Sequence, residues 1–263
     1  MSSVGDASSR LVVGSPIAPL HLEPRVSSPQ SSQRLYGHAV DVLEVRGDWR
    51  HVRGDDGYEG WMHVGYLHEP LPHDLERDRL RVSLGCRIRD GARAWQTRAL
   101  PLGALVAPGL DVIEGDAFAR DELTRRFPAH PEAIVRTALE CFAGTSYQWG
   151  GVTPWGADCS GLVQTTFALH GIGLPRDAWQ QALEGSDAGD DLTALRPADL
   201  LFFSDRDDRR ITHVGISTGG PRIVHLALGR GGYAVDRLDG NSDEYAAALA
   251  KRFVGARRIS TSG

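Results

Sequence analysis

Residues 157–171 read A-D-C-S-G-L-V-Q-T-T-F-A-L-H-G, and this stretch predicts a helix that begins at a cysteine. Asp158 is a residue type that caps helix N-termini, and Gly171 is a type that ends helices. The first turn of a helix offers unpaired N–H groups and a partial positive charge, and both favour the thiolate form of a cysteine. The sequence therefore marks Cys159 as a candidate nucleophile.

Two histidines, His213 and His225, lie in strand-like segments that a Gly-Gly turn joins. An antiparallel hairpin centred on Gly219 would place them directly opposite each other on one face of a sheet. A nucleophile, a general base and a residue that orients the base are the parts of a thiol-dependent hydrolytic site. We therefore predict Cys159 as the nucleophile, His213 as the general base and His225 as the orienting residue.

Other interpretations of these residues stay open at this point. A cysteine is often a small buried residue without chemistry, and a single histidine is more often structural than catalytic. Cys159 and the two histidines could also bind zinc, although no local Cys-x-x-Cys or His-x-x-x-His spacing supports a metal. Ser160 is a weaker nucleophile candidate because no G-x-S-x-G elbow surrounds it. The catalytic interpretation is favoured, and we expect no metal and no cofactor.

Composition argues against several classes of partner. The chain has 263 residues with a formal net charge of −5, and its 29 basic residues are scattered, so we expect neither nucleic acid nor a membrane as partner. No apolar run approaches the ~20 residues that a membrane span requires. The N-terminus lacks the basic and apolar segments of a secretory signal, and the three cysteines form no disulfide framework. We expect a cytoplasmic protein, and the sequence gives no indication of its oligomeric state.

The pattern upstream of residue 127 is typical of β-structure. Residues 1–22 show no clear period and are interpreted as an N-terminal lead-in. From 23 to 70, alternating segments such as A-V-D-V-L-E-V-R (39–46), joined by tight turns, predict a small barrel. Residues 71–126 begin with a charged, helix-compatible stretch and continue as short apolar pieces separated by Gly and Pro, which favours a second, degenerate barrel.

Residues 127–263 form the predicted cysteine-bearing domain. P-E-A-I-V-R-T-A-L-E-C-F (131–142) places its apolar residues on one helical face, and a loop then leads to the helix that begins at the cysteine. Strand-like segments follow at 200–204, 211–217, 222–228 and 251–258. Helices followed by a meander of strands indicate an α+β domain.

Five motifs follow one another in this domain: Y-Q-W-G-G (147–151), D-C-S-G-L (158–162), L-P-R-D (174–177), H-V-G-I (213–216) and V-H (224–225). Their order and spacing closely resemble those of the NlpC-type cell-wall peptidases, which are papain-like cysteine enzymes. Upstream, S-Q-R-L-Y-G (32–37) and D-G-Y-E-G-W (56–61) resemble the bacterial SH3-like domains that precede the catalytic domain in one branch, the γ-D-glutamyl-L-diamino acid endopeptidases of peptidoglycan recycling. The resemblance implies an α+β, papain-like catalytic domain preceded by one or two SH3-like β-barrels.

The resemblance also implies a reaction and a set of site residues. The reaction is cleavage of the bond between γ-D-glutamate and a diamino acid in murein-derived peptides with a free N-terminal L-alanine. Tyr147 and the backbone N–H of Cys159 would stabilise the oxyanion. Asp158, Ser160 and, from the first barrel, Tyr58 would hold the substrate's amine, because an ammonium buried in a closed cleft needs carboxylate and hydroxyl acceptors. The implied substrate-binding residues lie in the shared motifs and in the first barrel: Tyr58, Trp149, Asp158, Ser160, Arg176 and Asp177.

Three positions depart from the family pattern. Pro29 takes the place of an acidic residue that would bind the amine, Ala178 stands where a serine is usual, and Ala198 stands where a glycine is usual. The three catalytic positions are unchanged, so the resemblance supports the reaction type more strongly than the end-group specificity. Two other classes stay open: a non-catalytic binder or sensor of peptidoglycan fragments, and an acyltransferase or lipid-handling relative of the same fold.

Overall fold

The computed structural model describes residues 10–75, 77–89, 97–239 and 243–261. The chain divides into two units, Met1–Leu123 and Thr124–Gly263, and helix α1 (Arg120–Arg126) crosses the division. Within the described ranges, no helix is long and apolar enough to cross a bilayer.

The first unit contains a seven-stranded antiparallel sheet with the order β3-β2-β6-β5-β4-β1-β7. Its strands are β1 (Arg10–Val13), β2 (Ile17–His21), β3 (Gln30–Leu35), β4 (Ala39–Arg46), β5 (Trp49–Gly54), β6 (Glu59–His63) and β7 (Leu67–His68). Alternation along β4 buries Val40 and Val42, which join Val52 of β5 and Met62 of β6 in the core of the sheet. The predicted alternation at 39–46 is therefore confirmed as a strand.

The segment interpreted as a lead-in, residues 1–22, contributes two strands to this sheet. Its residues 10–13 and 17–21 are β1 and β2, with Leu11 and Leu20 buried in the core, while residues 1–9 lie outside the described part of the chain. The interpretation as a lead-in was wrong for these strands because each has only four or five residues and prolines interrupt the apolar pattern.

A four-stranded antiparallel sheet follows in the same unit. Strand β8 (Arg81–Arg89) pairs with β9 (Thr97–Val106), β10 (Asp111–Glu114) and β11 (Ala117–Ala119). The charged stretch before β8 forms short 3₁₀ helices at Pro72–Leu75 and Arg77–Arg79. A longer helix does not form there because the stretch has too few apolar residues to bury a helical face.

The second unit combines helices with a six-stranded antiparallel sheet of order β14-β19-β15-β16-β17-β18. Its helices are α2 (Pro131–Cys141), α3 (Cys159–Leu169), α4 (Ala178–Gln181) and α5 (Glu244–Lys251). Its strands are the short pair β12 (Val152–Thr153) and β13 (Gly156–Ala157), and the sheet strands β14 (Ser186–Gly189), β15 (Leu200–Phe203), β16 (His213–Ser217), β17 (Arg222–Ala227), β18 (Gly232–Arg237) and β19 (Phe253–Arg258). The predicted helices and the four predicted strands of this domain are confirmed to within about two residues at each end.

The hairpin of β16 and β17 has a different register from the predicted one. Ile216 pairs with Val224, and continuing this register places Gly215, instead of His213, opposite His225. The turn is longer than predicted because Gly219 and Gly220 both adopt positive φ, and the register centres the hairpin on Gly220. A shift of two residues keeps both histidines on one face, because side chains alternate with a period of two.

Candidate active site

Cys159 is buried in the first turn of α3, and the start of the helix is tightly held. Asp158 is the N-cap, and its Oδ1 accepts a hydrogen bond from the backbone N–H of Gly161 at 2.8 Å. A Cβ placed on Gly161 would lie 2.1 Å from the carbonyl oxygen of Gly151. The glycine in D-C-S-G-L is therefore required by the close approach of the preceding loop.

The surroundings of Cys159 act on its thiol in opposite directions. Burial raises the pKa of the Cys159 thiol, and the carboxylate of Asp158 adds to the rise. The backbone N–H groups of Val214 and Ser160 and the charge of Arg176 favour the thiolate. Burial outweighs these effects and raises the pKa of the thiol to about 12, so attack by the sulfur requires a base to accept its proton. The contact with Val214 also shows that the sulfur lies beside β16, the strand that begins at His213.

A row of hydrogen bonds begins at His213. Its Nε2 lies 2.8 Å from His225 Nδ1, and His225 Nε2 lies 3.0 Å from Asp236 Oδ2. His213 is partly buried, whereas His225 is fully buried. Burial, together with the neighbouring His225, lowers the pKa of His213, so this imidazole is neutral at pH 7 and can accept a proton. The remaining nitrogen, His213 Nδ1, is the atom that can serve as the base.

Asp236 was not among the residues that the sequence indicated. It lies on β18 opposite Ile223, which places its side chain on the same face as His225. Arg230 donates from Nη2 to Asp236 Oδ1 at 2.7 Å and from Nε to Oδ2 at 3.1 Å. Aligning residues 222–237 as a second hairpin would have revealed Asp236, but the strand-like segments that the sequence indicated did not include β18.

Tyr147 is fixed by its backbone close to the cysteine. Its N–H donates to the carbonyl of Gly231 at 3.0 Å, and it forms an isolated bridge with Ala157. Burial raises the pKa of the Tyr147 hydroxyl, and the negative charges that Cys159 and Asp158 can carry raise it further. The hydroxyl therefore stays protonated and can donate to a developing oxyanion. Its part in catalysis stays a prediction.

Asp158, Ser160 and Arg176 form one buried cluster. The Arg176 guanidinium donates to Asp158 Oδ1 at 3.0 Å, to Asp158 Oδ2 at 2.7 Å and to Ser160 Oγ at 2.7 Å. The Ser160 hydroxyl donates to Asp158 Oδ1 at 3.2 Å, and the N–H of Gly150 donates to Asp158 Oδ2 at 2.8 Å. The charge of Asp158 is thus already matched by Arg176, beneath the first turn of α3.

The other predicted substrate-binding residues lie in different settings. Trp149 is 67% exposed on the loop before α3. Asp177 is half-buried and is the N-cap of α4, in a capping box with Gln180. Tyr58 belongs to the first unit, where it packs against the core of the seven-stranded sheet. The structure thus brings together the predicted catalytic residues with Tyr147, Asp158, Ser160 and Arg176 in the second unit.

All three cysteines, Cys86, Cys141 and Cys159, are free thiols. In the part of the chain that the structure describes, no group of three or more His, Cys, Asp or Glu side chains is arranged to hold a metal ion.

Comparisons with known proteins match both units. The NlpC/P60 family matches residues 144–257, and the bacterial dipeptidyl-peptidase Sh3 domain matches residues 20–67. A gamma-D-glutamyl-L-lysine dipeptidyl-peptidase of Bacillus subtilis is 28% identical, over 74% of this chain and 71% of the relative. Dipeptidyl-peptidase 6 of Lysinibacillus sphaericus is 27% identical, over 89% of this chain and 93% of the relative.

Solved structures agree on the fold. An NlpC/P60 family protein from Bacillus cereus has a TM-score of 0.79 at 19% identity and covers 95% of this chain and 99% of its own. An NlpC/P60 endopeptidase from Photobacterium damselae has a TM-score of 0.66 at 14% identity and covers 99% of this chain and 73% of its own. The predicted α+β, papain-like fold with an N-terminal SH3-like domain is confirmed. The chain therefore carries a catalytic domain of the NlpC/P60 family behind a bacterial SH3-like domain, and it is a cysteine peptidase.

Proposed function

We propose that this peptidase hydrolyses the γ-D-glutamyl–diamino acid bond of peptidoglycan stem peptides, with Cys159 as nucleophile, His213 as base and His225 as orienting residue. The observation that carries the catalytic assignment is the hydrogen bond of 2.8 Å between the two histidines on the strands beside the buried cysteine. The substrate class is supported by two relatives named gamma-D-glutamyl-L-lysine dipeptidyl-peptidase, which match 74% and 86% of the chain.

The reaction follows from these positions. The Cys159 sulfur attacks the γ-carbonyl carbon while its proton passes to His213 Nδ1, and the carbonyl electrons move to the oxygen. The Tyr147 hydroxyl and the backbone N–H of Cys159 donate hydrogen bonds to this oxyanion. Collapse of the intermediate breaks the C–N bond, and His213 protonates the leaving amine. Water then loses a proton to His213 and attacks the thioester, which releases the glutamyl product and restores the thiol.

The substrate's N-terminal amine requires an acidic partner. Pro29 supplies no carboxylate, so Asp158, which also pairs with Arg176, is the acidic residue that the family resemblance offers. We propose that Asp158, Ser160 and Tyr58 hold the amine. A requirement for a free N-terminal L-alanine follows, because an acylated terminus carries no charge for the carboxylate to bind.

We also propose that the enzyme acts on free murein-derived peptides during their recycling in the cytoplasm. The three free thiols suit a reducing compartment.

The test uses four synthetic peptides and mass spectrometry of the products. L-Ala-γ-D-Glu-L-Lys and its diaminopimelate analogue should release L-Ala-γ-D-Glu, whereas the α-linked isomer and the N-acetylated peptide should stay intact. Equal cleavage of the α- and γ-linked peptides, or no cleavage of either, would contradict the proposed bond. Unchanged cleavage of the acetylated peptide would contradict the amine site alone.

A further inference from the structure

Asp236 ends the row of hydrogen bonds that begins at His213. Its carboxylate is buried, and it faces His225 from β17 and Arg230 from the turn before β18. Arg230 is held in turn by Asp243, the N-cap of α5, at 2.8 Å, and its guanidinium lies 4.5 Å from the centre of the Tyr245 ring. Burial acts to raise the pKa of Asp236, but the hydrogen bonds from His225 and Arg230 outweigh it and lower the pKa. Asp236 is therefore ionised and can only accept hydrogen bonds.

An acceptor at this position determines where the hydrogens of both rings lie. His225 must donate from Nε2 to Asp236, so in a neutral ring its Nδ1 carries a lone pair. His213 must then donate from Nε2 to that lone pair, which leaves a lone pair on His213 Nδ1. The opposite arrangement would put a hydrogen on His213 Nδ1 and prevent this atom from accepting the thiol proton.

We propose that Asp236 is a positioning residue that sets the tautomers of both histidines and so keeps His213 Nδ1 unprotonated for catalysis. Asp236 acts through His225 and does not touch the reacting atoms. The proposal rests on the proposed roles of Cys159 and His213, and it assigns a function to a residue outside the predicted triad.

The direct test is NMR of the wild-type enzyme labelled with ¹⁵N-histidine. Long-range ¹H–¹⁵N correlations at neutral pH should show the Nε2–H tautomer at both His213 and His225. An Nδ1–H tautomer at either ring, or a doubly protonated His225, would overturn the proposal. This measurement needs no variant to fold and no substrate to be cleaved, so its failure is distinguishable from failure of the proposed function.

A pair of variants separates positioning from support of the fold. Asp236→Ala should produce mixed histidine tautomers and lower kcat roughly 10- to 100-fold with little change in KM. This loss is smaller than that in sites where the carboxylate contacts the base directly, because Asp236 acts on His213 through His225. Arg230→Ala keeps the carboxylate against His225, so it should keep the wild-type tautomers and lose less kcat. If both variants lose equal activity and Asp236→Ala keeps the wild-type tautomers, the carboxylate has only a structural role and the proposal fails.

Discussion

At the scale of single residues, Arg176 explains how a carboxylate can lie next to Cys159. The side chain of Arg176 is only 1% exposed, and it forms a two-bond contact with Asp158. The negative charge of Asp158 raises the pKa of Cys159, and the positive charge of Arg176 opposes this effect. Asp158 can therefore cap α3 without leaving an unmatched charge beside the thiol.

Replacing Arg176 with Ala should lower the free energy of unfolding by about 3–5 kcal/mol, because the buried carboxylate of Asp158 would lose its partner. Urea denaturation measures the change. Arg206→Ala is the matched control: Arg206 makes the same two-bond contact with Asp208, but on an exposed turn, so its loss should have no measurable effect. Equal stability of the two variants would contradict the idea that burial makes the contact between Arg176 and Asp158 important.

At the scale of secondary-structure elements, the sequence predicted α3 well and the hairpin register less well. Helical periodicity, the Asp158 cap and the terminal glycine are local signals, and local signals locate a helix. The register of β16 and β17 depends on the backbone conformation of Gly219 and its neighbour, which the residue types alone do not determine. Asp236 was missed for a related reason, since its contact with His225 requires the pairing of a further strand.

One departure from the family pattern has a visible backbone consequence. Ala198 stands where a glycine is usual, and it adopts φ +66, a conformation that glycine reaches more easily. Family comparison thus indicated an unusual backbone position that hydrophobic patterning alone would not reveal.

In the first unit, an ion pair ties β3 to the turn between β5 and β6. Arg34 donates to Asp56 Oδ2 at 2.8 Å and to the carbonyl of Tyr58 at 3.1 Å. Burial acts to raise the pKa of Asp56, but the hydrogen bond and charge of Arg34, with the backbone N–H of Tyr58, lower it. A carboxyl with a lowered pKa in the folded state stabilises the fold above its unfolded pKa of about 3.9, and this contribution is lost as the pH falls.

Asp56→Asn should therefore destabilise the protein by about 1–3 kcal/mol at pH 7. The difference from wild type should begin to shrink below about pH 4, because the unfolded wild-type carboxyl takes up a proton there before the folded one does. Urea denaturation at pH 7 and pH 3 tests this. Asp55→Asn, at an exposed neighbour that pairs with Arg10, should change little at either pH. A loss from Asp56→Asn that is equally large at pH 3 would show that charge is not the cause.

At the scale of the whole molecule, the sequence pattern changes near residue 127 from β-structure to an α+β domain. This position lies close to the division between the two units at 123/124. The order and spacing of the five motifs were enough to predict the fold of the catalytic domain. These motifs lie at the starts of α3 and α4, on β16 and β17, and in the loop before α3. Tyr58 belongs to the first unit, so its proposed role in binding the amine rests on the family resemblance. The experiment with the acetylated peptide tests this role.

The most direct test of the catalytic account is the hydrolysis of L-Ala-γ-D-Glu-L-Lys by two cysteine variants of the full chain. Cys159→Ala should lose turnover by a factor on the order of 10⁴ or more with its fold intact by circular dichroism. Cys141→Ala, at a half-buried thiol at the end of α2, should keep wild-type turnover. Hydrolysis by Cys159→Ala at a rate near that of the wild type would contradict the account.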